Sequence, residues 1–150
     1  MINTPARSDF AKFIGDPRTL RAFEELFAAV NTHLLGALKA QSKAAGYTVL
    51  AEESGTVFIA TTADVEFTLP STAAGLMYTF VFKVPSAGVG GQVSPAAADK
   101  IMGNGFTSAD NKAAINSGAT DREGDTITVV GDGSDGWFIV GLTGTWAREA

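Results

Sequence analysis

From Tyr47 onward the chain is a succession of short segments rich in β-branched and aromatic residues, each closed by a cluster of turn-forming residues. The segments are Tyr47–Leu50, Thr56–Ala60, Val65–Leu69, Met77–Val84, Thr126–Val130 and Trp137–Val140. The punctuation is Glu53-Ser-Gly55, Pro70 to Gly75, Pro85 to Gly91 and Asp132-Gly-Ser-Asp-Gly136. Strands recurring at about every ten residues with Gly-rich turns predict an antiparallel β-sandwich or barrel, not βαβ units. Val65, Phe67 and Leu69 alternate with Glu66 and Thr68, as in a strand with one wet face. Residues 103–124 are polar and small, with Asn104, Asp110, Asn111, Asn116 and Asp121. They are expected to form a long surface excursion holding at most a short strand or turn, the kind of loop that serves a function or a partner.

Ahead of this region the period changes. Asp16 is a favoured N-cap, and Pro17 at the first helical position lacks only an N–H that would have no partner there. Leu20, Phe23, Phe27, Val30, Leu34 and Ala37 then form one apolar seam at spacings of three and four. The seam predicts a helix to about Lys43 within a segment 16–45 that ends at Gly46. Leu26, Leu35 and Leu38 widen it, Arg21 and Glu25 pair one turn apart, and Lys39 and Lys43 suit the negative helix end. Such a seam serves either a coiled coil between sister chains or a helix laid on a sheet; it is short, and Gly36 interrupts it. Residues 1–15 show no period. They hold Phe10, Phe13 and Ile14, which suit either packing on this chain's own body or an arm that docks on a neighbour.

Composition narrows the chemistry. With 150 residues and 45% apolar content, one domain with a full core is expected. A formal charge of −5 opposes attraction to nucleic acid or anionic membrane. No apolar run near the N-terminus resembles a signal peptide and none is long enough to span a bilayer, so synthesis in the cytoplasm is expected. Cysteine is absent, which removes disulfides, thiolate metal sites and a cysteine nucleophile. The single histidine, His33, lies beside Leu34 in the helical segment, where it reads as an ordinary helix residue. No serine sits in a Gly-x-Ser-x-Gly elbow, and no second histidine exists to act as base. Asp132 and Asp135, with Asp121, Glu123 and Asp125 upstream, offer oxygens of the kind calcium takes, but Asp-Gly-Ser-Asp-Gly is also hairpin chemistry. Gly88-Val-Gly-Gly91 lacks the following Lys-Ser/Thr of a phosphate loop. The expectation is therefore no catalytic residue, no cofactor and no metal.

The surface is the more telling feature. Between Ser54 and Ala98 the only charged residues are Asp64, Glu66 and Lys83. Interface cores are depleted of charge and solvated surfaces carry it, so this β region is expected to be covered by partner chains.

Several of these segments resemble a module of tailed-bacteriophage structural proteins. The carriers are Tyr47-Thr-Val-Leu-Ala-Glu-Glu-Ser-Gly55 with Phe58, Phe67-Thr-Leu-Pro70 with Ala74-Gly75, and Tyr78-Thr-Phe-Val-Phe82. The ending Gly124-Asp-Thr-Ile-Thr-Val-Val-Gly-Asp-Gly133, Gly136-Trp-Phe-Ile-Val-Gly141 and Gly144-Thr-Trp146 is similar to the C-terminal hairpin of that module. The resemblance covers roughly residues 47 to 147, about two thirds of the chain. It implies a virion part, commonly trimeric, of the head-decoration (cement), head-fibre or tail-fibre kind, and it brings no catalytic residue.

The reading is thus mainly β: an arm over 1–15, a helix within 16–45 for docking or oligomerisation, and a β-sandwich or barrel over 46–150. The expected function is non-enzymatic, a capsid decoration or head-fibre protein that assembles as a homotrimer on the major capsid protein or other virion proteins, with no nucleic acid or membrane partner. The alternative is a tail or tail-fibre component that binds a host receptor, with Trp137 and Trp146 as stacking platforms if they are not core. Phe10, Phe13 and Ile14 are the candidates for docking. Leu20, Phe23, Phe27, Val30 and Leu34 are those for association between sister helices.

Overall fold

The computed structural model describes residues 16–34, 39–86, 88–103 and 105–150. The chain divides into two compact units, with the boundary between residues 37 and 38.

In the first unit, helix α1 spans Pro17–Leu34. Asp16 caps it: Oδ2 accepts the Thr19 N–H at 3.0 Å and the Thr19 hydroxyl at 2.7 Å, which satisfies donors that the helix itself leaves free. Arg21 and Glu25 pair at 3.0 Å across one turn. The expectation of a helix to about Lys43 is corrected, because Lys39–Lys43 is strand β1. The edge of the strand Thr56–Ala60 offers Lys39–Lys43 a full ladder of backbone partners, in register from Lys39 with Thr56 to Lys43 with Ala60. A polar stretch beyond a Gly has no apolar seam with which to outbid that ladder.

The second unit is built of β-strands, with one 3-10 turn at Ala51–Glu53. After β1 come β2 (Tyr47–Thr48), β3 (Thr56–Ala60), β4 (Glu66–Thr68), β5 (Met77–Phe82) and β6 (Gln92–Ser94). Then follow β7 (Lys100–Met102), β8 (Ala114–Asn116), β9 (Asp125–Gly131), β10 (Gly136–Thr143) and β11 (Trp146–Arg148). They form a six-stranded sheet in the order β1-β3-β5-β9-β10-β7 and a five-stranded sheet in the order β11-β8-β6-β4-β2. The first six strands alternate between the sheets, so each sheet receives every second strand, and those neighbours run parallel. The chain therefore winds as a coil for three rungs. Antiparallel pairing enters with β8, β9, β10 and β11, while β7 runs parallel to β10.

Both sheets are thus mixed, which corrects the antiparallel expectation. Alternation of side chains is the same in parallel and antiparallel strands, so the sequence pattern does not separate them. What separates them is the connection. Pro70 to Gly75 carries the chain from one sheet to the other, whereas Asp132–Gly136 folds it back beside itself.

One core lies between the sheets. Phe58 and Phe80 of the six-stranded sheet meet Phe67 of the other at 5.8 and 4.8 Å between ring centroids. Tyr78, Phe82, Ile127, Val129, Val93 and Trp137 complete it, all at most 3% exposed. The stretch 103–124 is only partly the expected excursion. Ala114–Asn116 is a strand inside the five-stranded sheet, between β6 and β11, with Ala114 and Asn116 buried. Small side chains suffice where aromatic neighbours already fill the space, which is why the segment carries no strand signature. Gly90 is fixed by the same crowding. It has φ +107° and a side-chain carbon there would lie 1.7 Å from the Asn116 carbonyl oxygen.

The first rung closes the open end of the coil with polar groups. By register, Lys39, Gln41 and Lys43 of β1 share the side of Thr56, Phe58 and Ala60, all of which are buried. Lys43 Nζ lies 3.2 Å from the Tyr47 ring centre, and Gln41 Nε2 donates to Glu53 Oε1 at 2.9 Å. The Tyr47 hydroxyl donates to the same oxygen and the Leu50 N–H to Glu53 Oε2, both at 2.9 Å. Capping by polar side chains is how a stacked array ends without exposing its core.

Candidate assembly surface

The two sheets differ in what they turn outward. On the five-stranded sheet the outward residues of β4 and β6 are Glu66, Thr68, Gln92 and Ser94, with Ser94 donating to Glu66 at 2.7 Å, and only Ile115 of β8 and Ala147 of β11 bring apolar side chains to that side. Together with Asn111, Lys112 and Glu149 the four polar residues line a polar groove of about 490 Å³. Apolar in and polar out is the ordinary arrangement of a sheet with one wet face.

The six-stranded sheet departs from it. With Phe58, Phe80, Ile127 and Trp137 turned inward, the alternate positions face out. These are Val57 and Ile59 of β3, Met77, Thr79 and Val81 of β5, and Thr126, Thr128 and Val130 of β9. Phe138 and Val140 of β10 and Met102 of β7 extend the same face. Ala40 and Ser42 continue it on β1, in register with Val57 and Ile59. Phe138 is 46% exposed, Val140, at a bulge between Ile139 and Gly141, 59%, and Met77, at the start of β5, 41%, high for apolar side chains within a sheet. The Thr79 and Thr128 hydroxyls bond to each other at 2.9 Å, so the face meets part of its own hydrogen-bonding need. The one charged side chain within these strands on this side is Lys100, at the β7 edge, 3.6 Å from Asp110 and 3.8 Å from Asp135.

The three charges between Ser54 and Ala98 fall elsewhere. Asp64 accepts the Gly90 N–H at 3.0 Å and the Ser86 hydroxyl, tying two loops together, and these bonds hold its carboxyl below the usual range. Glu66 lies on the polar sheet, and Lys83 sits exposed just beyond β5.

The residues named from sequence are placed unevenly. Leu20 is buried at 8%, whereas Phe23 is 42% and Leu26 57% exposed on α1. With Arg18, Thr19 and Ala22 the latter two line an apolar depression of about 400 Å³. Phe27, Val30 and Leu34 belong to α1, but their side chains lie outside the described residues, as do Phe10, Phe13 and Ile14 altogether. The side chain of His33 is likewise outside them. Trp137 is fully buried and Trp146 packs edge-on against Phe82 at 5.6 Å, so both serve the core. Asp132 is spent on its turn: its Oδ1 accepts the N–H groups of Ser134, Asp135 and Gly136 at 2.9, 3.0 and 3.0 Å. Among the described residues no three His, Asp or Glu side chains converge as metal ligands would, and no helix is long and apolar enough to cross a membrane.

Sequence reading named helix and arm residues and missed the sheet face. A signal was present: Thr56–Ala60 and Met77–Phe82 are apolar at both alternating positions. Such runs mark strands that are covered on both sides. No protein-family model and no curated protein sequence matches the chain.

Proposed function

We propose that the protein is a non-enzymatic structural subunit of a tailed-phage virion, a capsid decoration (cement) or head-fibre protein that assembles as a homotrimer and binds the outer shell. Its β unit is a two-layer sandwich that works as a rigid spacer, and its action is burial of surface with no bond chemistry. The observation that carries this reading is the outer face of the six-stranded sheet, where apolar and threonine side chains extend across six strands with one paired charge at the rim. A wide sheet face of apolar and hydroxyl side chains with almost no charge marks an interaction site. The resemblance of residues 47–147 to phage modules supports the virion setting and the trimer. Electron microscopy of purified particles tests the proposal. Density for the chain on the head, in near-stoichiometric ratio to the shell protein, is expected; particles that lack the chain would refute it.

A second reading, a tail or tail-fibre component that binds a host receptor, is favoured by the polar groove over Glu66, Thr68, Gln92 and Ser94. Hydroxyl, amide and carboxylate groups gathered in a concave surface suit a polyhydroxylated ligand. Few copies at the tail, and loss of host adsorption when the protein is removed, would select it over the head.

A further inference from the structure

We infer that the outer face of the six-stranded sheet is filled by the same face of sister copies of this chain. The inference rests on the reading of the protein as a self-assembling subunit and names the partner of that surface. Three observations lead to it.

The first is size. Six strands at about 4.8 Å spacing span about 24 Å, and strands of five or six residues run about 17–20 Å, giving roughly 450 Å² in projection. That is over half of the ~800 Å² that each partner buries in a standard interface. A single helix is about 10 Å wide and covers two of the six strands, whereas the same sheet on two sister copies, with the three faces turned toward one three-fold axis, covers the full width and packs at about 10 Å. The second is charge. The chain carries −5, so two copies repel on average, but within the strands this face offers only Lys100, already paired with Asp110 and Asp135. Sister faces therefore meet without like charges in contact, which the opposite sheet does not offer because it carries Glu66. The third is shape. Val57, Ile59 and Val81 are half-covered by their neighbours, while Met77, Phe138 and Val140 stand proud at 41%, 46% and 59% exposure. Projecting side chains beside lower β-branched rows give the knobs and hollows that two sheet faces interdigitate.

The test uses the full chain in solution, with no shell protein present. Val140→Glu puts a carboxylate on the face at an exposed position, so folding is expected to be retained, and circular dichroism checks it. Ala147→Glu does the same on the exposed outer side of the five-stranded sheet. Sedimentation equilibrium should show an oligomer whose dissociation constant rises by roughly tenfold or more with Val140→Glu and stays unchanged with Ala147→Glu. Because the chain has no cysteine, Val140→Cys and Ala147→Cys give an independent readout. Maleimide labelling should be slow at 140, fast at 147, and fast at both once the protein is diluted below its dissociation constant. A single subunit at micromolar concentration would overturn the inference. So would an oligomer that Val140→Glu leaves intact and Phe23→Asp dissolves, which would place the sister contact on α1. A single subunit would also remove the homotrimer, but neither result touches the virion setting, which stands or falls on whether the chain is found in particles.

Discussion

Replacing Glu53 with alanine removes the acceptor at the centre of the polar cap that ends the coil. Three bonds disappear, from Gln41 Nε2, the Tyr47 hydroxyl and the Leu50 N–H, each at 2.9 Å in the intact protein. Bonds to a carboxylate contribute about 1.5–3 kcal/mol each where water is excluded; Glu53 is half-exposed, so about 2 kcal/mol for the set is the working figure. For a unit of this size that corresponds to a fall in Tm of about 8 °C. The loss also depends on pH. Burial alone would raise the Glu53 carboxyl, but the Leu50, Gln41 and Tyr47 bonds and the Lys43 charge outweigh it and hold it below its ordinary value of 4.5. A carboxyl depressed in the folded state contributes stability that is present above the unfolded value and is lost as pH falls through the folded one. The gap between the native protein and Glu53→Ala should therefore be widest near neutrality and shrink below about pH 4.5. Urea unfolding at both pH values measures it, and hydrogen exchange should localise it to the amides that pair β1 with β3. A loss below about 0.5 kcal/mol at neutral pH, or a gap that does not narrow in acid, would refute the account of the cap.

Two further perturbations probe the core. Phe67→Ala takes away the ring that meets Phe58, Phe80 and Phe82 from across the core and should cost about 3–5 kcal/mol in denaturant unfolding. Tyr78 probes alkaline stability: burial first, then the Glu53 and Glu52 charges, push its hydroxyl up to about 12, and it donates to the Leu50 carbonyl at 3.0 Å. A group raised in this way contributes stability below its unfolded value of 10.0 that is lost as pH climbs toward about 12. Near-UV titration of Tyr47→Phe should follow that single late transition together with unfolding.

How much of this was legible in the sequence depended on whether local chemistry or distant pairing decided the outcome. Asp16-Pro17 opened a helix because cap and first turn are settled within four residues. The Asp132–Gly136 hairpin was equally plain, since one carboxylate closes it. Lys39–Lys43 was misread because its strand is set by the edge of Thr56–Ala60, a partner that no window around it contains. Ala114–Asn116 was anticipated only as a short strand or turn somewhere within 103–124, for a related reason: its neighbours in the sheet, β6 and β11, lie about 20 and 30 residues away, and Ile115 is its one strand-forming residue. The functional surface was half legible. The scarcity of charge between Ser54 and Ala98 was apparent, but which sheet received it depended on a topology in which successive strands alternate between layers. That alternation sends Thr56–Ala60 and Met77–Phe82 to one sheet and Glu66–Thr68 to the other.

The threonines of the outer face give the surface reading its sharpest consequence. Thr79 and Thr128 face each other near the middle of the six-stranded sheet, with their hydroxyls bonded at 2.9 Å. In a face that stays wet such a pair contributes little, about 0.2–1 kcal/mol, since water serves each hydroxyl almost as well. In a face that becomes covered, mutual bonding spares both groups the desolvation cost of losing water. Changing both to valine removes donor and acceptor together, so folding stability should change by less than about 1 kcal/mol. The two added methyl groups extend the apolar surface at its centre and, if that centre is buried between sister copies, contribute about 0.8 kcal/mol each. Because both copies at a contact carry the change, Thr79→Val with Thr128→Val adds four methyl groups per pair and should lower the dissociation constant of the oligomer by roughly a hundredfold or more, read by the same sedimentation experiment. If the face stays in water when the chain assembles, the double variant will leave the dissociation constant where it was, and the paired hydroxyls will have been only a cross-strand contact.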